Sequence, residues 1–343
     1  MTHPFKFLLS AAAILSLQAC QSQSPSMDSQ TASGQNVSVD PSTPSQPEPS
    51  ANEWELVWQD DFDGEELDRT KWKPEVSCWG GGNNERQCYT DRPENIEVSD
   101  GVLKLKAFEG EHTGKKFPEG ISSDATETET RPYTSGKVRT RGIADWKYGR
   151  FDAHMKLPDG QGTWPAFWMM PADDSYGSWP LSGEIDILEA VNLGAKCDEC
   201  EGDEGENRTI AALHFGERPP ENKHIPTRYK LPGAPNAKNE YHTFSVEWGE
   251  GKIDWYVDGE NYFTLTADDW YTGAVSKEEN PNAPFDKAFY IMLNLAVGGG
   301  LSEDNNEMTF DPDSFPAELL VDWVRVYQCS SDPETGRACM KPE

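Results

Sequence analysis

Long helical periods, repeats of fixed length and membrane-length apolar runs are all missing from this 343-residue sequence. Without an apolar rhythm of about 3.6 residues, an architecture of long helices is excluded. Without a fixed repeat, a solenoid or a propeller is excluded. The apolar stretch before Cys20 is too short to cross a bilayer as a helix. The regular structure must therefore come from short strands.

Positive charge is also scarce. The sequence has 30 Lys and Arg against 60 Asp and Glu, which gives a formal net charge of −30. This balance disfavours binding to nucleic acid, to an anionic bilayer surface and to strongly sulfated polymers. An acidic surface also has a simpler explanation, because it keeps a protein soluble in salty water. We expect a neutral binding partner, no nucleic acid, and a monomer.

The first residues have the layout of an export signal. MTHPFKFLLSAAAILSLQAC places a lysine, a short apolar stretch and small residues before Cys20. LQAC resembles a bacterial lipobox, which implies a signal peptide over residues 1–19, a lipid on Cys20 and, with Gln21 following, the outer membrane of a Gram-negative cell. Ordinary secretion is the alternative. Residues 20–52, rich in Ser, Gln and Pro, predict a disordered linker.

Six cysteines follow Cys20, and an even number in an exported chain favours disulfides. A four-thiolate zinc site would need two close pairs, and the sequence has one, in CDEC. Six cysteines allow 15 connectivities. Pairing neighbours along the chain predicts Cys78 with Cys88, Cys197 with Cys200, and Cys329 with Cys339.

Short segments rich in Val, Ile, Tyr, Phe and Trp run from Trp54 onward, separated by Gly, Pro, Asn and Asp. HTFSVEW and VDWVRVY alternate apolar with polar residues, and WYVDGENYFTL contains the Asp-Gly of a tight hairpin. Ten or more strands predict an all-β, two-sheet β-jelly-roll sandwich over residues 53–329, followed by a tail at 330–343. Long loops are predicted at residues 109–131, 197–207 and 217–240.

The stretch GEIDILEAV puts Glu184, Asp186 and Glu189 into a segment that is otherwise typical of a buried strand. Residues two apart share a face of a strand, so Glu184 and Asp186 point one way and Glu189 the other. A β-bulge would rotate Glu189 onto the face of the other two. Glutamates gathered in this way suit a retaining glycosidase. The alternative is a solvent-facing strand with scattered charges, which the apolar neighbours disfavour.

Three tryptophans flank this motif. Trp164 and Trp168 enclose a Pro-Ala pair, predicted as a turn, in GTWPAFWMMP, and Trp179 precedes Glu184. Sugars present apolar C–H faces that stack on aromatic rings, while their hydroxyls need polar partners. Tryptophans beside carboxylates therefore predict a carbohydrate cleft with these rings as platforms. Each tryptophan taken alone is also compatible with a place in the core.

Eight motifs follow one another in a recognisable order: WELVWQDDFDG, GGGNNERQCYT, YTSGKVRT, YGRFDAHMKLPDGQGTWPAFWMMP, GEIDILEAV, LHFG, NLAVGG and VDWVRVY. With them the chain resembles glycoside hydrolase family 16, most closely its bacterial laminarinase-type endo-β-1,3-glucanases, from Trp54 to about Gln328. The resemblance implies a concanavalin-like jelly roll with an open cleft across its concave sheet. It also implies hydrolysis of internal β-glucosidic bonds with retention, and no cofactor for catalysis.

The resemblance assigns roles to the acids. It implies that Glu184 is the nucleophile, that Glu189 is the acid/base and that Asp186 modulates Glu184. Chemistry asks for the same division, because one carboxyl must be ionised to attack while another is protonated to assist the leaving group. Like charges held close together push their pKa values apart.

Other positions match substrate contacts of the family. His214 in LHFG matches a cleft histidine, although a lone histidine is as often structural. Asn84 and Glu85 match a substrate loop, or simply form a turn stapled by a disulfide. Lys137 stands where many relatives have Arg, which keeps the charge and loses the planar fork. The segment after NLAVGG lacks the Trp-containing loop of many laminarinases.

The family often has a structural calcium far from the cleft. Asp322 in VDWVRVY and the backbone around Gly101 match that location, and hard oxygen ligands suit calcium. The alternative is that Asp322 is only an exposed polar position.

Two other functions stay open. A non-catalytic glucan-binding protein could keep this fold, although such proteins lose the acids. The same mechanism could also act on agar, porphyran, carrageenan or β-1,3-galactan, or on mixed β-1,3/1,4-glucan.

Overall fold

The computed structural model describes residues 53–119, 126–196, 205–232, 240–303 and 310–341. The predicted signal peptide and linker, with Cys20, lie outside these residues, as do Cys197 and Cys200. In the described part, no helix is long and apolar enough to cross a membrane. The helical structure found there is α1 (Gly300–Glu303) and the short 3₁₀ turns Gly80–Gly82, Pro312–Ser314 and Arg337–Cys339.

One layer of the fold is a seven-stranded antiparallel sheet. It contains β2 (Lys73–Pro74), β7 (Lys137–Arg139), β9 (Thr163–Pro171), β10 (Glu184–Ala190), β11 (Arg208–Gly216), β12 (Asn222–Lys230) and β16 (Phe289–Val297). The strand order is β12-β11-β10-β9-β16-β7-β2, so the acid motif lies on an interior strand and β12 forms an edge.

The second layer is a ten-stranded sheet. It contains β1 (Trp54–Asp60), β3 (Gln87–Tyr89), β4 (Ile96–Ser99), β5 (Val102–Lys115), β6 (Thr128–Ser135), β8 (Gly149–Lys156), β13 (His242–Gly249), β14 (Lys252–Val257), β15 (Glu260–Thr266) and β17 (Ala317–Cys329). Its main path runs β15-β14-β13-β8-β17-β5-β6-β3, and the β3–β6 pair is parallel. Two sheets in this arrangement confirm the predicted β-jelly-roll sandwich.

Alternation along the strands builds the core between the sheets. In β16, Phe289, Ile291 and Leu293 belong to the central apolar cluster, while the residues between them face the opposite side of the sheet. Burial of each such side chain contributes about 1.5–3 kcal/mol. The seven-stranded sheet therefore has one face committed to the core and one available for a site.

Several local predictions can be compared directly with the strands. Asp258 and Gly259 join β14 to β15 with positive φ values of 50° and 81°, as the Asp-Gly hairpin requires. The predicted Pro-Ala turn is wrong, because Pro165 and Ala166 lie inside β9. The predicted loops are also partly strand, since β5 runs to Lys115 and β12 lies within the segment predicted as a loop at 217–240.

Two predicted disulfides are confirmed. Cys78–Cys88 encloses the glycine-rich turn before β3, and Cys329–Cys339 returns the last described residues to the end of β17. The predicted tail is packed, because the backbone N–H of Glu250 donates to Thr335 (2.7 Å). A disulfide that closes a short loop of this kind restricts the unfolded chain.

Candidate active site

The acid motif contains the β-bulge that the spacing of its acids predicts. Asp186 lies opposite Trp168 of β9, and the next aligned pair is Leu188 with Phe167, so Ile187 is an extra residue. On the other side the ladder also shifts between Asp186 and Glu189. Ile187 and Leu188 are both buried in the core. The bulge thus restores Glu189 to the face that carries the other two acids.

A histidine from the neighbouring strand joins the first two acids. Glu184 and His214 are direct partners in the β10–β11 ladder. His214 Nε2 lies 3.3 Å from Asp186 Oδ2 and 4.0 Å from Glu184 Oε1. Reactive atoms of all three residues lie within 4.8 Å of one another. The structure therefore brings His214, which the resemblance implied as a cleft residue, to Glu184 and Asp186.

Each glutamate accepts a hydrogen bond from an indole. Trp179 Nε1 donates to Glu184 Oε2 (2.6 Å), and Trp164 Nε1 donates to Glu189 Oε1 (2.9 Å). Trp179 is 39% exposed, whereas Trp164 is only 8% exposed. Both tryptophans were predicted as stacking platforms. The structure shows that they also hold the carboxyl groups, which leaves one oxygen of each glutamate without an indole donor.

Burial and neighbouring charge set the protonation of the site. Burial, reinforced by the charge of Asp186, raises the pKa of Glu184 to about 8, and burial also raises the pKa of Asp186. Burial raises the pKa of Glu189 to about 7. Burial opposes the charge on His214, but Asp186 and the glutamates outweigh it and raise the pKa of His214 to about 9. At neutral pH the site thus holds an imidazolium and shared protons.

The two glutamates differ in their neighbours more than in burial. Glu184 has the imidazolium of His214 and the indole of Trp179 beside it, which both lower its pKa, whereas its hydrogen bond with Asp186 raises it. Glu189 likewise accepts from an indole, that of Trp164, but the negative charge of Glu184 affects its pKa more than the cation of His214 does. Loss of the proton from Glu184 leaves an anion beside the imidazolium of His214, 4.0 Å from Glu184 Oε1, and a pKa of about 7 suits Glu189 to donate and recover a proton.

Lys137 and Trp168 meet on the same face, on the other side of β10. The ammonium of Lys137 lies 4.8 Å from the ring centre of Trp168, and Trp168 Nε1 donates to Asn294 Oδ1 (2.6 Å). Lys137 also pairs with Glu75 at 3.3 Å, and Arg139 pairs with the same carboxylate at 3.1 Å. The sequence singled out Lys137 and Trp168 but missed Glu75, which lies just beyond the short strand β2.

Burial opposes the charge on Glu75, but Lys137 and Arg139 outweigh it and hold the pKa of this carboxyl below its usual value. Glu75→Gln leaves two buried cations without their partner, so we expect the free energy of unfolding to fall by about 3–5 kcal/mol. Urea denaturation measures this change. Glu127→Gln is the matched control, because Glu127 pairs with Lys116 at the surface and should change stability by about 1 kcal/mol or less. Equal changes in the two variants would refute the expectation.

The predicted substrate loop has one exposed and one buried member. Asn84 is exposed and has a φ of 59°. Glu85 is 5% exposed, and Gln87 Nε2 donates to its carboxyl at 2.6 Å. Burial raises the pKa of Glu85, and a Cβ on Gly81 would lie 2.0 Å from its carboxyl oxygen. The glycines therefore leave room for Glu85, and substrate contact by Asn84 and Glu85 stays a prediction.

The edge strand β12 extends the same face, and sequence reasoning missed it. His224 lies opposite His214, with nearly parallel rings 5.5 Å apart. Pro226 lies opposite Ala212, which is the ladder partner of Asp186. Partners in a ladder share a face. Small residues thus continue the floor from the acids toward the edge, with His224 at its border.

Comparison with known proteins identifies the family to which this chain belongs. A family model described as beta-porphyranase A–D, GH16 domain, matches residues 54–329. The chain belongs to glycoside hydrolase family 16. The match spans nearly all of the two-sheet sandwich and includes the acids, the three tryptophans, Lys137 and His214.

Individual relatives within family 16 agree with this membership. The chain is 40% identical to glucan endo-1,3-beta-glucosidase A1 of Niallia circulans over 281 residues, which cover 80% of this chain and 38% of that protein. It is 36% identical to a beta-glucanase of Rhodothermus marinus, covering 81% of this chain and 86% of that protein. The X-ray structure of the Rhodothermus marinus laminarinase superposes with a TM-score of 0.64 at 35% identity, covering 81% of this chain and 98% of that one.

Family 16 glucanases need no catalytic cofactor, so a metal in this chain would be structural. Asp322 Oδ2 lies 2.8 Å from His154 Nδ1, and Gly101 forms the turn between β4 and β5. Among the described residues, no third acid, His or Cys joins this pair in a ligand cluster. The carboxylate of Asp322 suits calcium, and the other ligands would be backbone carbonyls and water. Calcium binding at Asp322 and Gly101 stays a prediction.

Proposed function

We propose that the protein is a retaining, endo-acting glycoside hydrolase that cleaves β-1,3-glucan of the laminarin type. The observation that carries this proposal is the bulge in β10, which gathers Glu184, Asp186 and Glu189 on one face in distinct surroundings. The names and structures of the glucanase and laminarinase relatives support the substrate. Intact acids also argue against a protein that only binds glucan.

In the first step the carboxylate of Glu184 attacks the anomeric carbon. Trp179 holds one oxygen of this carboxylate, so the other is directed at the sugar. For this step we assign the proton of the pair to Asp186, so that Glu184 is ionised, while His214, 3.3 Å from Asp186, balances the remaining negative charge. A bond forms between Glu184 and the sugar as the bond to the leaving chain breaks.

Glu189 transfers its proton to the glycosidic oxygen in the same step, so the leaving chain departs as a neutral alcohol. The ionised Glu189 then accepts a proton from water, which attacks the anomeric carbon and releases Glu184. Two displacements restore the original anomeric configuration. Trp164 keeps Glu189 aimed throughout, because an indole N–H can donate to the protonated carboxyl and donates more strongly to the ionised one.

The test is the release of new reducing ends from laminarin by the purified protein, with the product anomer followed by NMR. We expect a rapid fall in mean chain length and initial products in the β configuration. Binding of laminarin without product after long incubation would refute the proposal and favour a glucan-binding protein.

The pH dependence follows from Glu189. Its pKa of about 7 is raised above the usual value, so the acid is protonated below pH 7 and loses its proton as the pH rises through that value. We expect kcat/KM on laminarin to fall about tenfold per pH unit on the alkaline side of this point. A profile measured from pH 5 to 9 at constant ionic strength checks this. A flat profile across that range contradicts the role of Glu189.

A second candidate substrate has one observation in its favour. The matching family model is described as beta-porphyranase, and a porphyran-like, agar, carrageenan or β-1,3-galactan chain would be cut by the same mechanism. The excess of acidic residues disfavours sulfated chains. Assay of a panel of neutral and sulfated glycans, including mixed β-1,3/1,4-glucan, decides which one releases product fastest.

The proposed location is the outer membrane of a Gram-negative cell, with a lipid on Cys20 and residues 20–52 as the tether. The lipobox-like LQAC supports this proposal. In a Gram-negative host, wild-type protein should incorporate labelled palmitate and sediment with membranes, whereas Cys20→Ala should lose the label. An unlabelled wild-type protein found in the medium would favour ordinary secretion.

A further inference from the structure

A core tryptophan of the opposite sheet touches the backbone of the acid motif. Trp255 of β14 is 0% exposed, and its Nε1 donates to the backbone carbonyl of Asp186 at 2.9 Å. In a regular ladder, a backbone carbonyl points along the sheet toward the neighbouring strand. This bond crosses the core between the two sheets, so the carbonyl of Asp186 is turned out of the plane of its own sheet.

The turned carbonyl lies where the bulge begins. Ile187 is the extra residue relative to β9, and Ile187 and Leu188 together oppose Ala211 of β11. A bulge locally disrupts the ladder and leaves backbone groups to find other partners. A buried carbonyl without a partner is unfavourable, so a donor from the core selects the bulged conformation over a regular strand.

Trp255 is itself held in place. Its ring packs against Phe263 at 5.0 Å, and Asn261 Nδ2 donates to its backbone carbonyl at 3.2 Å. The β14–β15 ladder also shifts register between Trp255 and Tyr256. These contacts hold the indole of Trp255 in one orientation, with its N–H directed at the carbonyl of Asp186.

We infer that Trp255 is a positioning residue for catalysis: its indole N–H fixes the bulge of β10 and thereby the place of Glu189 relative to Glu184. The inference rests on the proposed hydrolase function. If β10 continued as a regular strand after Asp186, without the bulge, its register would shift by one residue and Glu189 would turn toward the core. The effect would fall on proton transfer, because Glu189 lies beyond the bulge and Glu184 before it.

Trp255→Phe removes the N–H and keeps an aromatic ring. Trp248→Phe is the matched control, since Trp248 is also 0% exposed and its Nε1 donates to a backbone carbonyl, that of Phe285, at 3.1 Å. Both variants should lose melting temperature to a similar extent. We expect Trp255→Phe to lower kcat on laminarin about 10- to 100-fold with KM within about twofold, and Trp248→Phe to leave kcat near wild type.

A change of leaving group separates positioning from general damage. On a dinitrophenyl laminaribioside, whose leaving group needs no proton, the first turnover of Trp255→Phe should be reduced far less than its turnover of laminarin. Equal losses on the two substrates would overturn the inference, as would a kcat that matches Trp248→Phe.

If Trp255→Phe folds poorly, a closer analogue of tryptophan replaces it in the test. Incorporation of β-(3-benzothienyl)alanine at position 255 replaces the N–H by sulfur with little change of shape. A fall in kcat supports the inference, and full kcat overturns it. If wild-type protein does not cut laminarin, the proposed function fails; if it does and these variants behave like the control, only the role of Trp255 fails.

Discussion

Glu184→Gln should lower kcat on laminarin by about 10⁴-fold or more while the protein stays folded. The amide keeps the size of the carboxyl and can still accept the hydrogen bond from Trp179, but it cannot form the covalent bond to the sugar. The loss should be equally deep on an activated aryl glycoside, because no leaving group replaces a missing nucleophile. Reducing-end assays and single-turnover kinetics measure both.

Glu97→Gln serves as the control, since it makes the same chemical change on the ten-stranded sheet. It should leave kcat near wild type. Turnover of Glu184→Gln above about 1% of wild type on either substrate, with folding verified by circular dichroism, would remove Glu184 from the role of nucleophile.

Glu189→Gln should have a different signature. We expect kcat on laminarin to fall about 10²- to 10⁴-fold, because the sugar alkoxide leaves without a proton. The first turnover of a dinitrophenyl laminaribioside should stay fast, since that leaving group is stable as an anion. The second step should then be slow, because water lacks its base, and the glycosyl-enzyme should accumulate as a burst.

Azide tests the same assignment from the product. It attacks without a general base, so it should accelerate Glu189→Gln on the aryl substrate and yield the β-glycosyl azide. The expected result fails if Glu189→Gln loses both substrates to the same degree, or if azide gives the α product, since either outcome would exchange the roles of the two glutamates.

Local rules were sufficient for much of this architecture. Strand periodicity is a property of a few adjacent residues, so GEIDILEAV alone showed that Glu189 had the wrong parity and that a bulge would correct it. The Asp-Gly hairpin before β15 and the two confirmed disulfides join residues close in sequence, where few alternatives compete. The resemblance to family 16 then added His214, because the sequence around His214 does not by itself show that its strand pairs with the strand of the acids.

Features that depend on distant residues could not be predicted. The indole bonds of Trp164 and Trp179 depend on how two strands and a loop meet, so only ring stacking was predicted for them. Pro165 looked like a turn because its strand neighbours come from remote segments. The edge strand β12 was predicted as a loop because its sequence is polar and contains Pro226. Hydrogen bonding to β11 along its whole length makes it a strand.

The paired indole donors impose a direction on the chemistry. With one oxygen of Glu184 engaged by Trp179 and one of Glu189 engaged by Trp164, each carboxyl approaches a bound ring through a single remaining atom. Attack and protonation should then follow fixed trajectories, so we expect a glycan whose scissile oxygen is presented from another angle to be cut slowly even where it binds tightly.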